Sequence, residues 1–149
     1  MIDIKLLEQL CLCNGISGDE GNVRNLIINE IKDCADDIKT DNLGNLIVFK
    51  KGKKSAKSKL MVSAHMDEVG LMVTDITSDG YLKFDEVGGI DRRVLPGKRV
   101  CVGRNGLNGV IGVKPIHLTN GDEKTAVPKM NDMYIDIGAE SREDALKYV

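Results

Sequence analysis

Apolar residues recur at helical spacing near the start of the chain and at strand spacing further on. Ile4, Leu7, Leu10 and Cys11 share one face of a helix predicted over residues 3 to 13. "NGISGDEG" interrupts that pattern. A second helix then runs to about Cys34, with Val23, Leu26, Ile27, Ile31 and Cys34 inward at i, i+3 and i+4 steps. Ser17, followed three residues later by Glu20, reads as a capping box at its start, in which each side chain satisfies a free backbone N–H.

"IKTDNLGNLIVFKKG" then predicts a β-hairpin. Two extended segments flank an Asn-Leu-Gly-Asn turn, with Ile47 and Phe49 on one face. The lysine-rich stretch "KKGKKSAKSK" reads as a solvated loop, because it lacks a glycine-rich turn entering a helix that would cradle phosphate. "LMVSA" follows, apolar at every step but one. That is the pattern of a strand buried on both faces, as in a sheet covered by helices on both sides.

Beyond Gly70 the texture changes. Segments at 71–77, 81–87, 98–103, 108–113 and 133–137 are rich in β-formers and separated by "SDG", "VGGID", "LPGK", "NGLNG" and "TNGD". Most of the 16 glycines lie here, which predicts a small antiparallel barrel or sandwich. "GAESREDALKYV" opens a last short helix, with Ser141 as N-cap and Asp144 three residues on. A helix of two turns is marginal unless packed, and the α/β part has few strands for a covered sheet. Both features lead us to expect a partial chain, with an α/β segment over residues 1–70 and a β module over 71–149.

Composition narrows the function classes. The 149 residues are 42% hydrophobic and 30% charged, which is globular and not disordered. A net charge of -2 and a pI near 5.7 give no electrostatic reason to expect nucleic acid. No apolar run approaches the roughly 20 residues that span a membrane, and the N-terminus does not read as a signal peptide. Cysteines at 11, 13, 34 and 101 fit neither a zinc ribbon nor a disulfide framework, so we expect reduced, mostly buried thiols in a cytoplasmic protein.

One place in the chain carries candidate chemistry. Of only two histidines, His65 lies in the apolar run "KLMVSAHMDEVGLMV", with Asp67 two residues on. On a strand, i and i+2 share a face, with Cα atoms about 6.5 to 7 Å apart. A carboxylate at that spacing can accept one imidazole N–H and leave the other nitrogen to a metal. On this short motif alone, a core histidine paired with a turn aspartate is the favoured reading over a metal ligand. His117, after a proline in "KPIHLTNG", reads as structural or surface, and "VGGIDRRVLPGKRV" as turn geometry with surface or interface charge.

The blocks "GISGDEGNVR", "DNLGNLIVFKKG", "SAHMDEVGLMV", "VGGIDRRVLPGKRV", "GVIGVKPIHL" and "MYIDIGAESREDA" occur in this order over nearly the whole chain. In that order and spacing the sequence resembles the tetrahedral, or deblocking, metallo-aminopeptidases. These include glutamyl aminopeptidases, and members are often labelled endoglucanase or cellulase M. The resemblance implies the N-terminal part of a three-layer α/β/α zinc-peptidase domain, followed by an inserted PDZ-like β-barrel that mediates dimerisation and larger assembly. It implies a site for two divalent metal ions, zinc or cobalt, with His65 as a ligand and Asp67 as its orienting partner. Two such ions can activate water and polarise a scissile carbonyl.

The remaining ligands and the general base implied by the resemblance are not matched in this sequence. The expectation is therefore an aminopeptidase acting on peptides, of which this chain is a truncated and inactive part, possessing no complete metal site. A non-catalytic oligomerisation or binding module is the alternative. An endoglucanase ranks last, because no pair of carboxylates stands out as a glycosidase requires.

Overall fold

The computed structural model describes residues 3–54, 58–114 and 127–149. The fold is α/β and divides into two compact units, Met1–Glu68 and Val69–Val149.

In the first unit, helix α1 (Ile4–Leu12) starts where Asp3 caps it. The Asp3 carboxylate accepts the N–H groups of Lys5 at 3.0 Å and Leu6 at 3.2 Å, two of the donors that a helix start leaves free. Helix α2 (Gly21–Ile31) buries Val23. The expected capping box does not form. Glu20 occupies the N-cap position without a side-chain bond to the helix, and its Oε1 accepts the Gly18 N–H at 2.7 Å. Ser17 is engaged elsewhere, as described below.

Strands β1 (Asp37–Thr40) and β2 (Leu46–Phe49) form the predicted antiparallel hairpin, with Asp37 opposite Phe49 and Thr40 opposite Leu46. Asp41 organises its turn. One carboxylate oxygen accepts the N–H groups of Leu43 and Asn45 at 3.0 and 2.9 Å, and the other takes the Asn45 side chain at 2.9 Å. These bonds, the Asn45 side chain first, hold the Asp41 carboxyl below the usual range. Arg24 of α2 donates to the Gly44 carbonyl at 2.9 Å and ties the helix to this turn.

The expected buried strand at "LMVSA" is not formed. Residues 60–64 carry no strand pairing, and Leu60, Met61 and Val62 are 92%, 88% and 86% exposed. An apolar pattern states which faces a strand would bury, but a strand also needs neighbours that accept its backbone bonds. Among the described residues none pairs with this segment. The cysteines also depart from expectation. All four are unpaired, yet Cys11, Cys34 and Cys101 are exposed and Cys13 half-buried. On the α1 face that carries Cys11, Ile4 and Leu7 are exposed too.

The second unit is a five-stranded antiparallel sheet of β3 (Gly70–Ile76), β4 (Leu82–Val87), β5 (Arg99–Val102), β6 (Leu107–Val113) and β7 (Met133–Asp136). Its order is β3-β4-β7-β6-β5, so the last strand inserts between β4 and β6. The core lies on one face because alternate residues point to it. Leu82 and Phe84, Ile111, and Met133 and Ile135 are buried, and Ile135 stands opposite both Leu82 and Ile111. Gly80, at φ 84°, closes the β3–β4 turn in a conformation that side chains rarely adopt.

The single-turn helix α3 (Arg142–Ala145) is capped as predicted, with the Asp144 N–H on Ser141 Oγ at 3.2 Å. It persists because it is packed. Ala145 is fully buried, and Arg142 donates to Asp75 Oδ1 at 2.9 Å and to the Ile76 carbonyl. In "VGGIDRRVLPGKRV" the adjacent Arg92 and Arg93 each pair with a carboxylate. Arg92 reaches Glu86 at 2.6 Å and Arg93 reaches Asp91 at 2.6 Å, while Leu95 enters the core. Surface charge and turn geometry account for that motif. No described helix is long and apolar enough to cross a membrane.

Candidate functional site

The site begins with a backbone junction between two segments of the first unit. Ile16 and Glu68 form a parallel bridge, in which the Glu68 N–H donates to the Gly15 carbonyl at 2.8 Å. The Gly15 N–H returns to Glu68 Oε1 at 3.4 Å. Gly15 is buried beneath Val23 of α2, with room for nothing larger. A Cβ on it would lie 2.5 Å from Val23 Cγ2. This junction carries Ser17 to Asp67, fifty residues away in sequence, and Ser17 Oγ donates to Asp67 Oδ2.

The other carboxylate oxygen faces the histidine. His65 Nδ1 lies 3.1 Å from Asp67 Oδ1 and 3.0 Å from the Asp67 backbone carbonyl. A carbonyl and an ionised carboxylate can only accept, so Nδ1 carries a hydrogen, and in the neutral ring that leaves the lone pair on Nε2. The imidazole is 85% exposed, whereas the Asp67 side chain is 38% exposed. Asp67 is held below the usual carboxylate range. The Ser17 hydroxyl is the largest cause, partial burial opposes it, and the His65 bond adds to it. The arrangement is a chain of three side chains ending in one outward-facing nitrogen donor.

The structure therefore joins the two residues that the sequence singled out, and adds a third that sequence reasoning assigned to a helix cap. No periodicity or spacing links Ser17 to Asp67. His117 lies outside the described residues. Among the described residues, no group of three or more His, Cys, Asp or Glu side chains converges to hold a metal ion. His65 fits the part of one ligand with its orienting carboxylate, but the donors among the described residues do not complete a site for even one ion.

The sequence pattern of the M42 glutamyl aminopeptidases matches residues 44–149. The chain belongs to this family. The TET1 peptidase of Pyrococcus horikoshii, described as assembling into a tetrahedron or a large octahedral shell, superposes with a TM-score of 0.83 at 47% identity. That match covers 98% of this chain and 43% of the peptidase. A structure of an endoglucanase from Thermotoga maritima superposes with a TM-score of 0.81 at 45% identity, covering 96% of this chain and 41% of that one. The lysyl aminopeptidase of Pyrococcus furiosus is 36% identical over 149 residues, 97% of this chain and 42% of the enzyme. The M42 chain described here thus spans about two fifths of the length of the relatives it matches.

Proposed function

We propose that this chain supplies the His65–Asp67 corner of a metal-dependent aminopeptidase that releases N-terminal residues from peptides in the cytoplasm. The observation that carries the reading is the imidazole itself. Its Nδ1 is committed to Asp67, its Nε2 has no partner among the described residues, and the side chain is exposed, in a chain of the M42 family. That is how a metal-binding histidine is prepared by its orienting carboxylate. Zinc or cobalt are the ions proposed for the whole enzyme. By itself the 149-residue chain is proposed to be inactive, because one imidazole cannot hold two ions.

The β unit, Val69–Val149, is proposed to be the PDZ-like domain through which copies of the protein assemble. The assembly described for the related TET1 peptidase supports this part of the reading. An endoglucanase reading gains nothing from the site, since an imidazole donor is no part of a two-carboxylate glycosidase apparatus.

The test is a chimaera in which residues 1–149 replace the matching segment of the Pyrococcus furiosus enzyme. We expect chelator-sensitive release of N-terminal residues from peptides. Asp67→Asn should reduce it about 10- to 100-fold, and His65→Ala by more than that. A chimaera that keeps its full rate with His65→Ala would sink the assignment. Chelator-sensitive release by the purified 149-residue chain alone would sink the claim that it is inactive.

A further inference from the structure

We infer that Ser17 is a positioning residue for His65, acting through Asp67. The inference deepens the proposed role of His65 and rests on it. A carboxylate two residues from a histidine can rotate about two side-chain bonds, and on an exposed segment little restrains it. Here Oδ2 is occupied by the Ser17 hydroxyl, which leaves Oδ1 directed at His65 Nδ1. Ser17 can do this because of where its backbone is held. The Gly15–Glu68 and Ile16–Glu68 junction anchors its segment beside residue 67, and buried Gly15 lets that segment lie against Val23.

Ser17 is also free for the task. The helix cap that its sequence position offers is not made, and Glu20 turns to Gly18 instead. The hydroxyl gives its one hydrogen to Asp67, so the carboxylate has a donor on each side: a serine O–H on Oδ2 and an imidazole N–H on Oδ1. A carboxylate pinned in this way holds the ring in its Nδ1–H form and presents Nε2 outward. The backbone carbonyl of Asp67 contributes to the same end. Removing the hydroxyl leaves that carbonyl contact in place and frees the carboxylate, so the loss of ring order is partial.

The tautomer of His65 is directly measurable in the 149-residue chain by long-range proton–nitrogen NMR correlations. With only two histidines, a His117→Gln variant leaves one ring to observe. At a pH where the ring is neutral, the parent is expected to show mainly the Nδ1–H form. Ser17→Ala should shift the ring by at least twofold towards the Nε2–H form that dominates in free imidazole side chains. Ser17→Thr, which keeps the hydroxyl, should restore the parent ratio. Backbone amide spectra of α2 and the β1–β2 hairpin should stay unchanged, which separates positioning from unfolding.

A Ser17→Ala ring indistinguishable from the parent would overturn the role of Ser17 while leaving the aminopeptidase reading to its own chimaera test. A parent ring already in the Nε2–H form would overturn the hydrogen-bond chain itself. If Ser17→Ala perturbs the amide spectrum, Ser17→Thr and Asp67→Asn decide the matter. The inference then fails unless Thr matches the parent and Asn does not.

Discussion

The backbone N–H of Glu68 donates to the carbonyl of Gly15 at 2.8 Å, joining two segments that lie 53 residues apart. The Ser17–Asp67 contact depends on this junction, which brings the two segments together. The junction in turn depends on Gly15 having no side chain.

Gly15→Ala should therefore lower stability, because the new methyl must share space with Val23 Cγ2 at 2.5 Å. Valine is stiff at its first side-chain torsion, so it cannot simply swing away. A loss of about 1–3 kcal/mol is expected, read from urea unfolding. The double variant Gly15→Ala, Val23→Ala should lose less than the sum of the single changes. Strict additivity would show that the two residues do not compete for this space.

Acid should weaken the fold in a defined window. Arg93 holds the Asp91 carboxyl down to about 2 from its usual 3.8, through its side-chain bond first and its backbone N–H second. A carboxylate whose folded value is depressed contributes stability that is complete above its unfolded value and is lost as pH falls through its folded one. The contribution of Asp91 is thus intact at neutral pH and disappears between about pH 4 and pH 2. With Arg93→Gln, the carboxyl carbon of Asp91 should titrate at a higher pH by NMR. The difference in urea midpoint between parent and variant should vanish at the acid end of that window, and a constant difference would contradict the assignment.

In the β unit, Gly112 of β6 stands opposite Tyr134 of β7, whose ring lies over the glycine. A Cβ at Gly112 would fall 2.4 Å from Tyr134 Cζ. The same ring packs against Tyr81 with centroids 4.7 Å apart. Gly112→Ala should displace the ring, reduce the near-ultraviolet tyrosine signal and lower stability by about 1–3 kcal/mol. An unchanged near-ultraviolet spectrum would show that the ring is not fixed there.

The exposed run Leu60-Met61-Val62 is a solubility liability of the isolated chain. Met61→Lys should leave stability within about 0.5 kcal/mol, as for other exposed positions. It should also reduce binding of a hydrophobic dye and slow aggregation during heating. A substantial loss of stability would show that Met61 is packed in solution.

The pattern of residues along the chain determined much of the local structure. The spacing of Ile4, Leu7 and Leu10 marked α1, and the Asn-Leu-Gly-Asn turn marked the hairpin. Runs of β-formers between glycine turns, at 81–87 and 133–137 among others, marked strands, and Ser141 marked the start of α3. These signals are short-range. They follow from 3.6-residue and two-residue periodicities and from side chains that cap their own backbone, all within a few neighbours. The His65–Asp67 pair was legible for the same reason, since both partners lie two residues apart.

Only the tertiary structure decided what depends on distant partners. It placed β7 between β4 and β6, left Leu60 to Val62 exposed, and exposed Ile4, Leu7 and Cys11 on α1. It also took Ser17 from the helix cap its position offered and gave its hydroxyl to Asp67. The cap is not made because α2 starts only at Gly21, with Glu20 as its N-cap. The Asp67 bond is made because the Gly15–Glu68 junction, an interaction that no local pattern encodes, brings the two segments together.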